Sequence, residues 1–70
     1  MRPITAKRVI KILEDDGFVL SRQNGSHKIF VHSTSRIMVP VPVHGKNKPV
    51  NINTLFAIIK QSKISKNKFK

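Results

Sequence analysis

Phe18-Val19-Leu20-Ser21-Arg22-Gln23-Asn24-Gly25-Ser26-His27-Lys28-Ile29-Phe30-Val31-His32 is the stretch that decides the fold. Two runs rich in β-branched and aromatic residues flank Asn24-Gly25-Ser26. The Asn-Gly step tolerates the positive φ that a tight hairpin needs. Residues 18–23 therefore read as one strand and residues 27–32 as its antiparallel partner. Ser33-Thr34-Ser35-Arg36 forms a second turn, and residues 37–43 a third strand. Pro40 and Pro42 fix the position of that strand. Residues two apart point their backbone N–H to the same side, and neither proline has one, so that side cannot be paired. The third strand belongs at a sheet edge.

Working outward, Ala6, Val9, Ile10 and Leu13 follow Thr5 at the spacing of one helix face, with Thr5 as the cap and Gly17 as a left-handed stop. Glu14-Asp15-Asp16 falls at the negative end of that helix dipole, which is mildly unfavourable and points to another role, solubility or contact with a basic neighbour. Beyond the third strand, residues 44–49 form a basic loop. Asn51 or Asn53 caps a second helix that buries Leu55, Ile58, Ile59 and Ser62, with Phe56 at the border and Ile64 closing the core. The order predicts an α+β fold, α-β-β-β-α, in which both helices cover one face of a three-stranded antiparallel sheet. Residues 1–64 form the single domain, and residues 65–70, alternating polar and basic, a frayed basic tail.

Composition narrows the function. Seventy residues make one small domain and exclude a two-domain enzyme with a deep cofactor cleft. The absence of cysteine excludes a disulfide scaffold, a thiolate metal site and a cysteine nucleophile. The longest apolar run, residues 37–43, is far too short for a membrane span and is interrupted by prolines. Met1 to Arg8 shows no apolar core behind its charges, so no secretory signal is expected and the expected location is cytoplasmic. Fourteen Lys and Arg face three acids, a formal charge of +11. Such a surface attracts polyanions, nucleic acid first among them.

Gly25-Ser26-His27 is the sharpest chemical feature. A turn glycine exposes backbone N–H groups to a phosphate, Ser26 adds a hydroxyl, and a strand holds His27 rigidly. Imidazole titrates near neutrality and can take or give a proton at a phosphodiester. The plainer reading is ordinary turn chemistry, with His27 packed at an edge on the same strand parity as Ile29 and Val31. His32 reads as solvated, and His44 as a loop residue within reach of phosphate. The three histidines match no metal spacing, and no metal or cofactor is expected. Arg22, Lys28, Lys46 and Lys48 are the candidate groove-lining cations.

Several segments in order carry a resemblance to a known family: Glu14-Asp15-Asp16-Gly17-Phe18, the run from Val19 to Gly25-Ser26-His27, Val39-Pro40-Val41-Pro42-Val43-His44-Gly45, and Ile52-Asn53-Thr54-Leu55 leading into Ile58-Ile59-Lys60-Gln61. Over roughly residues 5–64 the chain resembles HicA, the small toxin of HicAB toxin–antitoxin systems. The resemblance implies a fold like the double-stranded RNA-binding domain and a metal-independent endoribonuclease that cuts messenger RNA. It implies His27 as the catalytic residue, and a HicB antitoxin that binds the toxin and covers it. The chain departs from the family at Asn53, where glycine is common, at Phe56, where a basic or polar residue is common, and at Lys63, where a small residue is usual.

The expected site is thus His27 as general acid or base, with Gly25, Ser26, Arg22, Lys28 and Lys46 on the substrate and the toxin alone a monomer. Two other classes fit the same residues. One is a module that holds RNA by shape and phosphate contacts without cutting it. The other is an interaction protein whose basic face meets an acidic chain. The charge distribution makes a measurable prediction. RNA affinity should fall with salt at a log–log slope of about −3 to −4, given about four to six phosphate contacts at about −0.7 each on a single strand. A slope near zero in a salt titration would refute phosphate-dominated binding.

Overall fold

The computed structural model describes residues 3–43, 45 and 48–69. Helix α1 spans Ala6–Asp15, strands β1, β2 and β3 span Phe18–Asn24, His27–His32 and Met38–Pro42, and helix α2 spans Ile52–Ser62. The strands pair antiparallel in the order β1-β2-β3, so the expected α-β-β-β-α arrangement is the observed one.

The caps are local chemistry. Thr5 accepts the Arg8 N–H at 3.2 Å and opens α1. Asn51, not Asn53, opens α2, accepting the Asn53 N–H at 2.9 Å. Gly17 follows α1 at φ +106°. The hairpin turn is Gly25-Ser26 alone, with Gly25 at φ +58° and Asn24 already paired to His27.

Between Leu20 and Arg22 the β1–β2 register shifts by one residue, leaving Ser21 as the extra one. Because side chains alternate, that insertion changes the face of everything upstream. Phe18 and Leu20 lie opposite His32 and Phe30. Phe18 and Phe30 enter the core with Val39 and Val41 of β3. Downstream of the insertion, Arg22 and Asn24 lie opposite Ile29 and His27, on the other face. The side of β3 that carries the missing N–H groups of Pro40 and Pro42 is unpaired, as expected of an edge. Val43, of opposite parity, donates its N–H to the Ser26 carbonyl at 2.6 Å.

Both helices pack on the face of the sheet that presents Phe30, Val39 and Val41. From α1 the buried residues are Ala6, Val9, Ile12 and Leu13; Ile10, expected in this stripe, is half-buried at its border. From α2 they are Leu55, Ile58 and Ser62. Ser62 is tolerated because its hydroxyl donates to the Ile59 carbonyl at 3.1 Å and accepts the Ile64 N–H at 3.2 Å. Lys63 then takes φ +64°, a left-handed turn that costs a side chain roughly 1–2 kcal/mol and that a small glycine would adopt freely.

Two expectations are corrected. Residues 65–69 are not frayed. A 3-10 turn over Lys66–Lys68, capped by Ser65, delivers Phe69 to the core, where it is 0% exposed. Lys66 stacks over the Phe56 ring at 5.5 Å, and Lys68 shares a cleft with Arg8, Ile12, Asp15 and Asp16, so the tail returns alongside α1. An aromatic residue in a short chain supplies burial that no polar alternation reveals.

His32 is not a solvated strand end either. Its Nδ1 faces the N–H groups of Thr34 and Ser35 at 3.1 and 3.2 Å. Those groups can only donate, so Nδ1 accepts and Nε2 carries the hydrogen, which it donates to the Asp16 carbonyl at 2.8 Å. The ring also meets Phe18 edge-on at 5.0 Å. One imidazole thus ties the end of α1 to the β2–β3 turn. A Cβ on Gly17 would stand 3.0 Å from Nε2, a second reason for glycine there.

Phe69→Ala should lower the unfolding free energy by about 3–5 kcal/mol in urea denaturation, whereas removal of a frayed tail residue would leave it unchanged. His32→Ala should cost about 1–3 kcal/mol by leaving its backbone partners unmet, and His32→Asn, whose Oδ1 can replace Nδ1, distinctly less. Equal losses in the two variants would contradict the assigned bonds.

Candidate functional site

His27 opens β2, opposite Asn24 on one side and Pro42 on the other, and its side chain is exposed. The surroundings are built by closure of the chain. Thr5 forms an isolated bridge with Pro49, and the Val50 N–H donates to the Ile4 carbonyl at 2.8 Å. This lashes the segment before α2 to the start of α1. α2, packed against β3, then brings its first turn beside Pro42.

Two adjoining cavities result. One, of about 360 Å³, is walled by Ala6, Lys48, Val50 and Asn51. The other, of about 370 Å³, lies between the proline edge of β3 and α2, walled by Pro40, Asn53, Ala57 and Gln61. His27, Pro42 and Thr54 belong to both, so the imidazole stands where the two meet. The first cavity has the more polar wall, to which Lys48 and Asn51 contribute.

The structure treats the other expected site residues differently. Gly25 is exposed at the turn, with open space around it, and its carbonyl accepts the Gln23 side-chain N–H at 3.0 Å. Ser26 is half-buried, its carbonyl committed to Val43. Arg22 lies opposite Ile29, on the same sheet face as His27 and diagonal to it across the hairpin. Lys28 does not join them. Successive strand residues point to opposite faces, and Lys28 lines a separate cleft of about 410 Å³ against α1, with Lys7, Lys11 and Glu14. Lys46 and His44 lie outside the described residues.

Sequence reasoning missed the contribution of α2. Thr54, Asn53 and Gln61 reach the site only through the packing of α2 on β3, a long-range contact. The polar run Asn51-Ile52-Asn53-Thr54, flanked upstream by Pro49, was the available signal. Among the described residues no three His, Asp or Glu side chains converge as a metal ion requires, and no helix is long and apolar enough to cross a membrane.

The acidic triplet is mostly solvent-facing. Lys11 and Asp15 form an exposed pair at 3.5 Å, of the kind worth a few tenths of a kcal/mol (about 0.3–0.5). Asp16 serves the fold through its carbonyl.

No curated protein matches the chain. The family model of the HicA toxin of bacterial toxin–antitoxin systems matches residues 6–64, from the first residue of α1 to the core residue Ile64. A toxin of such a system works against an antitoxin partner. With that match over most of its length, the chain belongs to the HicA toxin family.

Proposed function

We propose that this toxin is a metal-independent endoribonuclease that cleaves messenger RNA, with His27 as the general acid or base. The observation that carries the reading is the place of His27: an exposed imidazole on a rigid strand end, where two cavities meet beside the first turn of α2. RNA supplies its own nucleophile. The ribose 2′-OH is held next to its phosphate, so a small protein has little positioning to do. As the 2′-oxygen bonds to phosphorus, its proton leaves to a base. The bond from phosphorus to the 5′-oxygen breaks as that oxygen gains a proton. His27 serves one of these two transfers, typically worth roughly 10²–10⁴-fold.

Charge on the phosphate grows during the step. Lys48 in the first cavity's wall and Arg22 on the His27 face are the described cations that can meet it, and the N-terminus of α2 adds a favourable dipole. Gly25 and Ser26 shape the approach. Lys28 contributes to the general field of a +11 surface rather than to the reacting phosphate. In this reading the toxin acts as a monomer in the cytoplasm, and a HicB-like antitoxin silences it by covering His27.

His27→Ala should reduce RNA cleavage by about 10²-fold or more in the presence of EDTA, with the fold intact by circular dichroism. RNA affinity should fall only modestly, since phosphate contacts come from the cations. Full cleavage by folded His27→Ala would overturn the mechanism, and binding without cleavage by the wild type would leave an RNA-binding module.

A further inference from the structure

The cavity between β3 and α2 has a composition that phosphate chemistry does not require. One wall is the pair of proline rings, Pro40 and Pro42, on the unpaired edge of β3. The opposite wall is a single stripe of α2, Asn53, Ala57 and Gln61, at four-residue spacing. Residues four apart stand on one helix face, so two side-chain amides flank a methyl group along the cavity. Asn53, Ala57 and Gln61 are all exposed, although Ile58, next to them, is buried and forms part of the floor. No charge lies on this wall.

We infer that this cavity holds one unpaired nucleobase of the RNA, the base next to the phosphate at His27, and that Asn53 and Gln61 read its edge. A nucleobase is a planar group with apolar faces and a polar rim. The cavity presents the complement: flat aliphatic rings and a methyl group for the faces, amides for the rim. Its volume of about 370 Å³ sits at the small end of the usual range for small-molecule sites, roughly 300–1,000 Å³.

The rest of the chain favours proline as the stacking surface. There is no Trp or Tyr, and of the four Phe, Phe18, Phe30 and Phe69 are in the core. The remaining one, Phe56, is engaged by Lys66 and is not part of the cavity wall. Base recognition beside His27 therefore falls to proline stacking and amide hydrogen bonds. Asn and Gln side chains offer a paired donor and acceptor, the pattern that reads base edges in pairs of hydrogen bonds. Single-stranded RNA exposes those edges. The two cavities share His27, Pro42 and Thr54, so one nucleotide can span from phosphate to base.

This proposal rests on the nuclease reading above and is tested separately from it. The substrates are short single-stranded RNAs with each of the four bases on either side of the cleaved bond. They are assayed for kcat/KM with the wild type, Gln61→Ala, Asn53→Ala and, as an off-wall control, Lys60→Ala. The same sequences carrying 2′-O-methyl groups, which cannot be cut, are assayed for equilibrium binding. The wild type should prefer one base at one flanking position. Gln61→Ala or Asn53→Ala should weaken that preference by about tenfold, and Lys60→Ala should leave it in place. Ala57→Leu, which fills the cavity from an exposed helix position, should lower cleavage of every sequence while the fold persists. Base preference unchanged in both amide variants, with cleavage retained, overturns the base site and leaves the nuclease reading standing. Absence of wild-type cleavage overturns the nuclease reading; binding of the uncut RNAs then decides the cavity by the same comparison.

Discussion

The extra residue in β1 is the constraint on which the rest of the molecule depends. Ser21 has no partner in the register, and its insertion lets one short strand serve two faces. Upstream of it, Phe18 reaches the helices and meets Phe30 in the core. Downstream, Arg22 and Asn24 turn to the face that His27 occupies. A strict alternation from the Gly25-Ser26 turn would place Phe18 on the solvent face and empty the middle of a core that has few residues to spare. The insertion therefore reconciles a tight two-residue turn with a buried strand start, and it frees the turn end of the hairpin for polar work.

Much of this was legible in the sequence, and the parts that were share a cause: they are local. Thr5, Gly17, the Gly25 turn and the paired prolines each act within a few residues, through a hydroxyl, a positive φ or a missing N–H. The third strand is assignable to an edge from its residues alone, because Pro40 and Pro42 forbid pairing on one side. What escaped is long-range. Whether Ile10 or Ile12 completes the α1 stripe depends on where the sheet lies beneath the helix, and Phe69 looks like any residue of a basic tail until Ile64 and α1 are in place to receive it. At the site, residue type singled out His27, but chain proximity did not reveal that Lys28 lies on the opposite sheet face, because neighbours in a strand diverge by half a turn. The family resemblance supplied a role for His27; the surrounding walls came only from the packing of α2.

Histidine shows how far residue type alone can mislead. His27 and His32 end the same six-residue strand, and nothing in composition separates them. His32 is enclosed by donors and a carbonyl that fix its tautomer and use both ring nitrogens. His27 instead faces two cavities with a cation in one wall. One imidazole is thus a joint of the fold, and the other is exposed where two cavities meet. The distinction lies in where each strand end falls: His32 beside the end of α1, His27 beside the first turn of α2.

A small sheet with two open edges risks pairing with another chain, and prolines on the outer side of β3 suppress that by removing the donors. The same substitution has a second consequence. At Pro40 and Pro42 the edge offers ring faces instead of N–H groups to whatever lies beside it, so α2 can stand off there and leave a gap without stranding buried donors. Val39 and Val41, of the opposite parity, still anchor β3 to the core and keep the gap in shape. Edge protection and cavity formation are therefore one device, and the imidazole at its end is held by a strand whose outer neighbour offers no N–H at Pro40 or Pro42.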